Sequence, residues 1–99
     1  MDIQIHSVRF DADKKLLNFI HVKVNKLIKY RDNILAADVF LRLDKAQDDE
    51  NKIVEIRLDM SPGQLFAKKQ SNTFEEATDN VVDALRRQIT KQKGKRREI

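Results

Sequence analysis

The sequence contains no cysteine and only two glycines among its 99 residues. Without cysteine, disulfides and thiolate zinc sites are excluded. The glycines, Gly63 and Gly94, are too few for the glycine-rich loops that hold phosphates in nucleotide-binding proteins. The histidines, His6 and His21, lack metal-like spacing, and no nucleophile stands in a motif with a base. The sequence therefore argues against an enzyme, and we expect no cofactor, no metal site and no small-molecule substrate.

Long apolar runs are missing as well. No stretch approaches the roughly 18 apolar residues that span a bilayer. Met1 is followed by Asp2, without the basic and apolar segments of a signal peptide. We expect a cytoplasmic protein with no membrane partner. The length suffices for one domain and not for two, so residues 1–99 are taken as a single domain.

Charged residues are abundant and segregated along the chain. They make up 36% of the sequence, with a formal net charge of +4. Residues 14–31 hold six basic and no acidic residues, and residues 84–99 hold seven basic residues and one acidic residue. These two segments carry a net charge of +12, whereas the rest of the chain carries −8. Such segregation predicts a polyanionic partner.

The hydrophobic periodicity predicts the element order β-α-β-β-β-α. The predicted strands span residues 3–10, 37–44, 54–60 and 65–69. Helices are predicted near residues 12–31 and 73–93. A long acidic loop should join the second and third strands, and its Asp48-Asp49-Glu50 segment is interpreted as a solvated hairpin tip. We expect an α+β fold, a single domain in which two helices pack on one face of a four-stranded sheet.

Each predicted helix has a capping signal and an apolar side. Asp11 or Asp13 can cap the first helix, and Thr73 with Glu76 forms a capping-box pattern at the second. The apolar stripe of the first helix comprises Leu16, Leu17, Ile20, Val24, Leu27 and Ile28. That of the second comprises Phe74, Ala77, Val81, Ala84, Leu85 and Ile89. Gly94 is expected to end the second helix, leaving residues 95–99 as a flexible basic tail.

Two basic helices side by side on a sheet would form one cationic ridge. Such a ridge binds phosphates with little reading of base sequence, which favours folded RNA as the partner. The predicted RNA-binding residues are Lys15, Lys23, Lys26, Lys29, Arg86, Arg87, Lys91, Lys93 and Lys95. Part of the second cluster also has a simpler explanation, since cations near a helix C-terminus complement the helix dipole. Phe40 and Phe66, if they point outward from the sheet, could stack on bases or contact another partner.

Several segments of the chain carry a family pattern. Residues 19–30 form a lysine-rich helix ending in Leu-x-Lys-Tyr, residues 74–79 read aromatic-x-x-Ala-x-Asp, and residues 85–93 read Leu-x-x-Gln-hydrophobic-x-Lys-x-Lys. With residues 54–56 and the Pro62-Gly63 turn, they resemble the ribosome hibernation promoting factors, also called the protein Y or sigma 54 modulation family. The resemblance covers nearly the whole chain. It departs from the pattern at residue 74, where phenylalanine replaces the more common tyrosine.

This resemblance implies a translation inhibitor that binds the small ribosomal subunit and its 16S ribosomal RNA in the mRNA and tRNA channel. Such a protein would promote ribosome hibernation under stress or in stationary phase. By position, the RNA-contact role falls on Lys23, Lys26, Lys29, Arg87, Lys91 and Lys93. The chain resembles the short members, which lack a dimerising C-terminal domain, so a ribosome-dimerising partner protein remains open. The alternative is a protein-interaction module that modulates a sigma factor.

Overall fold

The structure of the protein, a computed structural model, describes the backbone of residues 1–45 and 49–97 and the side-chain environments of residues 1–45 and 49–91. Its elements are β1 (Asp2–Ser7), α1 (Lys14–Asn25), β2 (Ile34–Leu43), β3 (Lys52–Met60), β4 (Gln64–Ser71) and α2 (Phe74–Arg97). A short 3₁₀ helix (Lys26–Lys29) continues α1. This order confirms the predicted β-α-β-β-β-α arrangement and the α+β class.

The sheet has the strand order β1-β2-β3-β4. β1 and β2 are parallel because α1 crosses over between them, whereas β3 is antiparallel to both of its neighbours. Val39 lies in register with Ile5 and Ile56, and Ile56 with Ala67. These side chains point toward the helices, where Val39, Ile56 and Ala67 are buried. Since side chains alternate along a strand, every second residue points to the opposite side, which we call the open face.

The core lies between the sheet and the two helices. Ile20, Val24 and Leu27 are fully buried on the first helical segment. From α2, the buried apolar residues are Ala77, Val81, Leu85 and Ile89. Burying a side chain of the size of Leu or Ile contributes about 1.5–3 kcal/mol, so these positions hold the helices on the sheet. The rings of Phe10 and Phe74 stack with their centroids 5.1 Å apart and join the start of α2 to the loop before α1.

Both helices begin at the predicted caps. The backbone N–H of Leu16 donates to Oδ1 of Asp13 at 2.8 Å, so Asp13 rather than Asp11 caps α1. The backbone N–H of Glu76 donates to Oγ1 of Thr73 at 3.0 Å. Each bond satisfies a backbone donor that the first turn of a helix leaves unpaired.

The ends of the first two elements differ from the prediction. α1 gives way to the 3₁₀ helix at Lys26, and Ile28 is 40% exposed instead of belonging to the core. A 3₁₀ helix advances 120° per residue instead of 100°, which keeps Leu27 inward and turns Ile28 outward. β1 ends at Ser7 instead of residue 10. Soon after it, Arg9 has a φ of 66°, a left-handed conformation that a strand does not accommodate.

The other strands and α2 are longer than predicted. β2 begins at Ile34, β3 at Lys52, and β4 extends to Ser71. α2 runs through Gly94 to Arg97, so the prediction that Gly94 ends this helix was wrong. Glycine destabilises a helix by about 1 kcal/mol relative to alanine. Basic residues near the C-terminus interact favourably with the helix dipole and offset this cost in part.

Residues 46–48 of the predicted acidic loop, which include Asp48 of its predicted tip, and residues 98–99 of the predicted tail lie outside the described residues, whereas Asp49 and Glu50 of the tip are exposed. The flexibility of the tail stays a prediction. Neither helix of the described chain combines the length and the apolar character that crossing a bilayer requires.

Candidate RNA-binding surface

The strand directions place the two helices side by side with the same orientation. β1 and β4 both run parallel to β2, since β3 is antiparallel to β2 and β4. α1 follows the end of β1, and α2 follows the end of β4, so both helices begin at the same end of the sheet. Their C-terminal portions therefore lie toward the other end. This topology gathers the basic residues of the two helices on one side of the molecule.

The 3₁₀ helix brings Lys26 and Lys29 to α2, against which it packs. Tyr30 follows directly. The hydrogen bond from Arg86 to Asp83 raises the pKa of the Arg86 guanidinium, and Tyr30 makes a smaller contribution in the same direction. Lys26 and Lys29 are exposed, as are Arg87 and Lys91 on α2. We call the surface formed by Lys23, Lys26, Lys29, Arg86, Arg87 and Lys91 the basic surface.

Lys23 occupies the contact between the two helices. Its Nζ lies 3.2 Å from Oδ1 of Asp79 on α2 and 5.4 Å from the ring centroid of Phe19. The carboxylate offsets the charge of the lysine, while the ring restricts its position. By its position, Lys23 belongs to the basic surface, but Asp79 compensates part of its charge.

Arg86 and Arg87 share one carboxylate. Nη2 of Arg86 lies 2.7 Å from Oδ1 of Asp83, and Nη2 of Arg87 lies 2.9 Å from Oδ2. The hydrogen bond from Arg86 holds the pKa of Asp83 below its usual value, with a further contribution from the charge of Arg87. Asp83 is therefore ionised at neutral pH, and the three residues together present one excess positive charge.

The remaining predicted RNA-binding residues lie outside the basic surface as defined above. Lys15 is exposed in the first turn of α1, about 16 Å along the helix from Lys26, and does not join the basic surface. Lys93 and Lys95 lie on the α2 backbone, but their side chains are outside the described ones. The last buried residue described on α2 is Ile89, and the helix continues about 12 Å farther, to Arg97.

For two basic residues, Arg31 and Lys69, the sequence could not show whether the side chain is available near the basic surface. Arg31 belongs to the basic run, yet it is only 6% exposed and its Nε donates to Oδ1 of Asn33 at 2.9 Å. Lys69, on β4, was missed; with Asn80 and Arg87 it lines a cleft of about 240 Å³ between β4 and α2. The only sequence signal for it was the Lys68-Lys69 pair, because its proximity to α2 depends on the fold.

The described residues offer no arrangement for metal chemistry. Among them, no group of three or more His, Cys, Asp or Glu side chains is placed to hold a metal ion. His6 stacks on Phe40 with centroids 4.8 Å apart, and its Nε2 lies 3.3 Å from Oδ1 of Asp38. His21 is exposed on α1. What the helices present instead is a set of surface cations, suited to binding phosphate groups.

Comparison with known proteins identifies a family and several relatives. The model of a family described as Sigma 54 modulation protein / S30EA ribosomal protein matches residues 3–97. The ribosome hibernation promoting factors of Klebsiella oxytoca and Escherichia coli K12 are 25% and 26% identical to the chain over 95 residues, which is 96% of this chain and 96% of each of theirs.

Two solved structures share the fold. A ribosomal subunit interface protein from Coxiella burnetii has a TM-score of 0.83 at 20% identity, with 95% of this chain and 99% of that chain covered. The N-terminal domain of Thermus thermophilus Protein Y has a TM-score of 0.80 at 23% identity, with 92% of this chain and 98% of that chain covered. At these identities, the two likenesses establish the architecture of the chain.

Proposed function

Since the chain belongs to the Sigma 54 modulation protein / S30EA ribosomal protein family, we propose that it binds the small ribosomal subunit in the mRNA and tRNA channel and keeps the ribosome inactive. The family is ribosome-associated and non-enzymatic, which confirms the prediction that the protein is not an enzyme. Association with ribosomes implies a location in the cytoplasm. The alternative of a module that modulates a sigma factor is not favoured, because the curated relatives are ribosome hibernation promoting factors.

The observation that carries the proposal is the basic surface formed by the end of α1, the 3₁₀ helix and α2. Lys26, Lys29 and Lys91 are exposed, and no ion pair involving them is found within the described part of the chain. Lysine ammonium groups act as compact point charges toward phosphate oxygens. Each phosphate contact releases counterions from the RNA, which gives affinity without base recognition. The proposed partner of this surface is 16S ribosomal RNA.

In our proposal, the other predicted RNA-binding residues extend this contact with the RNA. Arg86 and Arg87 retain guanidinium donors beyond their bonds to Asp83, and a guanidinium can engage a phosphate through two parallel bonds. Lys93 and Lys95 continue along α2, and Lys15 would contact a more distant phosphate. Occupation of the channel would exclude mRNA and the anticodon ends of tRNA, so translation would stop. The curated relatives are named ribosome hibernation promoting factors, and we propose that this inhibition keeps ribosomes in hibernation under stress or in stationary phase.

Competition on purified subunits tests the proposed position. Small subunits are incubated with the protein, with or without bound mRNA and tRNA, and analysed on sucrose gradients. We expect the protein to co-sediment with free subunits and to be lost from subunits that already carry mRNA and tRNA. Binding that is unchanged by mRNA and tRNA would place the protein elsewhere on the ribosome. A second gradient, of whole ribosomes with and without the protein, distinguishes paired from single idle ribosomes and shows whether pairing needs a dimerising partner protein.

A further inference from the structure

The open face of the sheet presents aromatic side chains away from the basic surface. Phe66 on β4 is 53% exposed. Phe40 on β2 is half-buried, stacks on His6, and has the guanidinium carbon of Arg42 5.7 Å from its ring centroid. The two rings stand on β4 and β2 with β3 between them, and exposed aromatic residues are over-represented in the hot spots of binding surfaces. Because both helices lie on the other side of the sheet, this surface is separate from the proposed RNA contact.

Charges at the centre of the open face compensate one another. Asp38 accepts from Nη2 of Arg57 at 3.0 Å and lies 3.3 Å from Nε2 of His6. Nη1 of Arg42 lies 2.8 Å from Oε1 of Glu55. Two arginines thus meet two carboxylates, and the centre lacks the excess of cations that binding a polyanion requires. Ordered arginines beside aromatic rings are instead the side chains that protein interfaces concentrate.

Lys68, and two carboxylates at one end of the face, Asp2 and Asp59, are the exceptions to this compensation among the described residues. The cross-strand neighbour of Lys68 is Glu55, which is already engaged by Arg42. No ion pair of Lys68 is found among the residues that the structure describes. Phe66 precedes it by two positions on the same side of β4, about 6.6 Å away along the strand. The pair therefore offers one apolar contact and one free positive charge, and its complement is an apolar side chain next to a carboxylate.

The dimensions of the open face limit the size of the partner element. Four strands about 4.8 Å apart and about eight residues long give a surface of roughly 500 Å². A stable complex between globular proteins buries about 800 Å² on each partner, so a second copy of this chain would be held weakly. The carbonyl of Phe66 already accepts from Nε2 of Gln88 at 3.1 Å, which occupies a backbone group that strand addition along β4 would use. A short segment lying across the face satisfies both constraints.

We propose that the open face binds a short acidic and apolar segment of a partner protein, with an apolar side chain on Phe66 and a carboxylate on Lys68. Charge complementarity at Lys68 and the compensated centre favour this occupant over RNA. The interaction does not involve the basic surface, so its test is independent of the ribosome.

Nuclear magnetic resonance with three probes tests the proposal on the whole chain. The ¹⁵N-labelled protein is titrated with a decapeptide of alternating leucine and glutamate, with its counterpart of alternating leucine and lysine, and with deca-uridine RNA. We expect the amides around Phe66, Lys68 and Arg57 to shift with the acidic peptide and not with the basic one. In Phe66→Ser and in Lys68→Glu, the affinity for the acidic peptide should fall at least about tenfold.

Leu35→Ser is the matched control, because Leu35 is 59% exposed on β2 and lies outside the Phe66–Lys68 pair. This variant should bind the acidic peptide like the wild type. Dispersed amide spectra of all three variants show that they are folded, and Lys68→Glu tests the site even if Phe66→Ser unfolds. Shifts on the open face with deca-uridine alone would indicate a base-stacking surface and overturn the proposal. Equal shifts with both peptides, or none with any probe, would also overturn it.

Discussion

Lys23 of α1 and Asp79 of α2 form an ion pair across the contact between the two helices, with 3.2 Å between Nζ and Oδ1. The pair joins a residue of the lysine-rich segment to the aspartate of the aromatic-x-x-Ala-x-Asp segment. It positions a cation on the basic surface and at the same time offsets its charge. Both side chains are partly exposed, so solvent screens the attraction and its effect on the stability of the fold is small.

Replacing Asp79 with asparagine should strengthen binding to the small subunit, because Lys23 would keep its place without the opposing carboxylate. A unit charge about 4 Å away is worth about 1 kcal/mol in water, so the affinity should rise by up to about fivefold. Sedimentation with purified small subunits at low salt measures the change. Asp49→Asn, in the exposed loop before β3, alters the net charge equally and should leave the affinity nearly unchanged. Weaker binding of Asp79→Asn would show that the carboxylate mainly orients Lys23.

The cap of α1 gives a prediction with a control two residues away. Asp13→Ala removes the acceptor of the Leu16 N–H and should lower the free energy of unfolding by about 1 kcal/mol. Asp11→Ala should change it by less than about 0.5 kcal/mol, since Asp11 does not cap the helix. Urea unfolding followed by circular dichroism compares the two variants. Equal losses would contradict the assignment of Asp13 as the cap.

The element types could be predicted from the sequence, since hydrophobic periodicity and caps act locally. The ends of the elements were harder to predict, because they depend on local backbone geometry and on free-energy differences of about 1 kcal/mol. Ile28 fitted the helical stripe at 100° per residue, but the 3₁₀ geometry exposes it. Gly94 is a typical stop signal, yet α2 continues through it. The left-handed Arg9, which follows the end of β1, has no signal in the residue type.

The candidate site was predictable as a charge pattern but not as a set of contacts. Composition identifies which segments are basic, while ion pairing across elements decides which cations remain available. Lys23 meets Asp79 only because α1 and α2 are neighbours in space. Arg31 is turned inward to Asn33 although it stands in the same basic run. Lys69 comes beside Arg87 through the packing of β4 on α2, which no local pattern indicates.

Asp38 should make the stability of the fold depend on pH in the acidic range. The hydrogen bond with His6 holds its pKa below the ordinary value, with Arg57 contributing in the same direction. A carboxyl whose pKa is lowered by folding stabilises the protein above its unfolded pKa of about 3.9, and this contribution is lost as the pH falls through the folded value. Asp38→Asn should therefore be less stable than the wild type at pH 7, and the difference should shrink below about pH 4. Urea unfolding midpoints of the wild type and of Asp38→Asn, measured at pH 7 and below about pH 4, give this difference in stability. A difference in stability that does not vary with pH would exclude the mechanism.

Reversing the two lysines of the 3₁₀ helix tests the location of the RNA contact. In Lys26→Glu with Lys29→Glu, the charge of the basic surface falls by four units, and we expect co-sedimentation with small subunits to be lost at physiological salt. Both side chains are exposed, so circular dichroism should still show a folded protein. Lys45→Glu with Lys52→Glu makes the same charge change near the hairpin between β2 and β3 and should retain binding. Similar loss in both double variants would mean that net charge, rather than this surface, governs the interaction.

Salt dependence distinguishes phosphate contacts from other sources of affinity. If cations of the basic surface neutralise phosphates, the logarithm of the binding constant should fall linearly with the logarithm of the salt concentration, by about 0.7–0.9 for each contact. Replacing Lys26 and Lys29 with glutamine removes two contacts without adding repulsion, so the slope should become shallower by about 1.4–1.8. Titrations of small subunits at four or more salt concentrations give both slopes. Lys45→Gln with Lys52→Gln should keep the wild-type slope, because those lysines lie near the hairpin. A wild-type affinity that does not vary with salt, or a slope that the first double variant leaves unchanged, would remove Lys26 and Lys29 from the proposed contact.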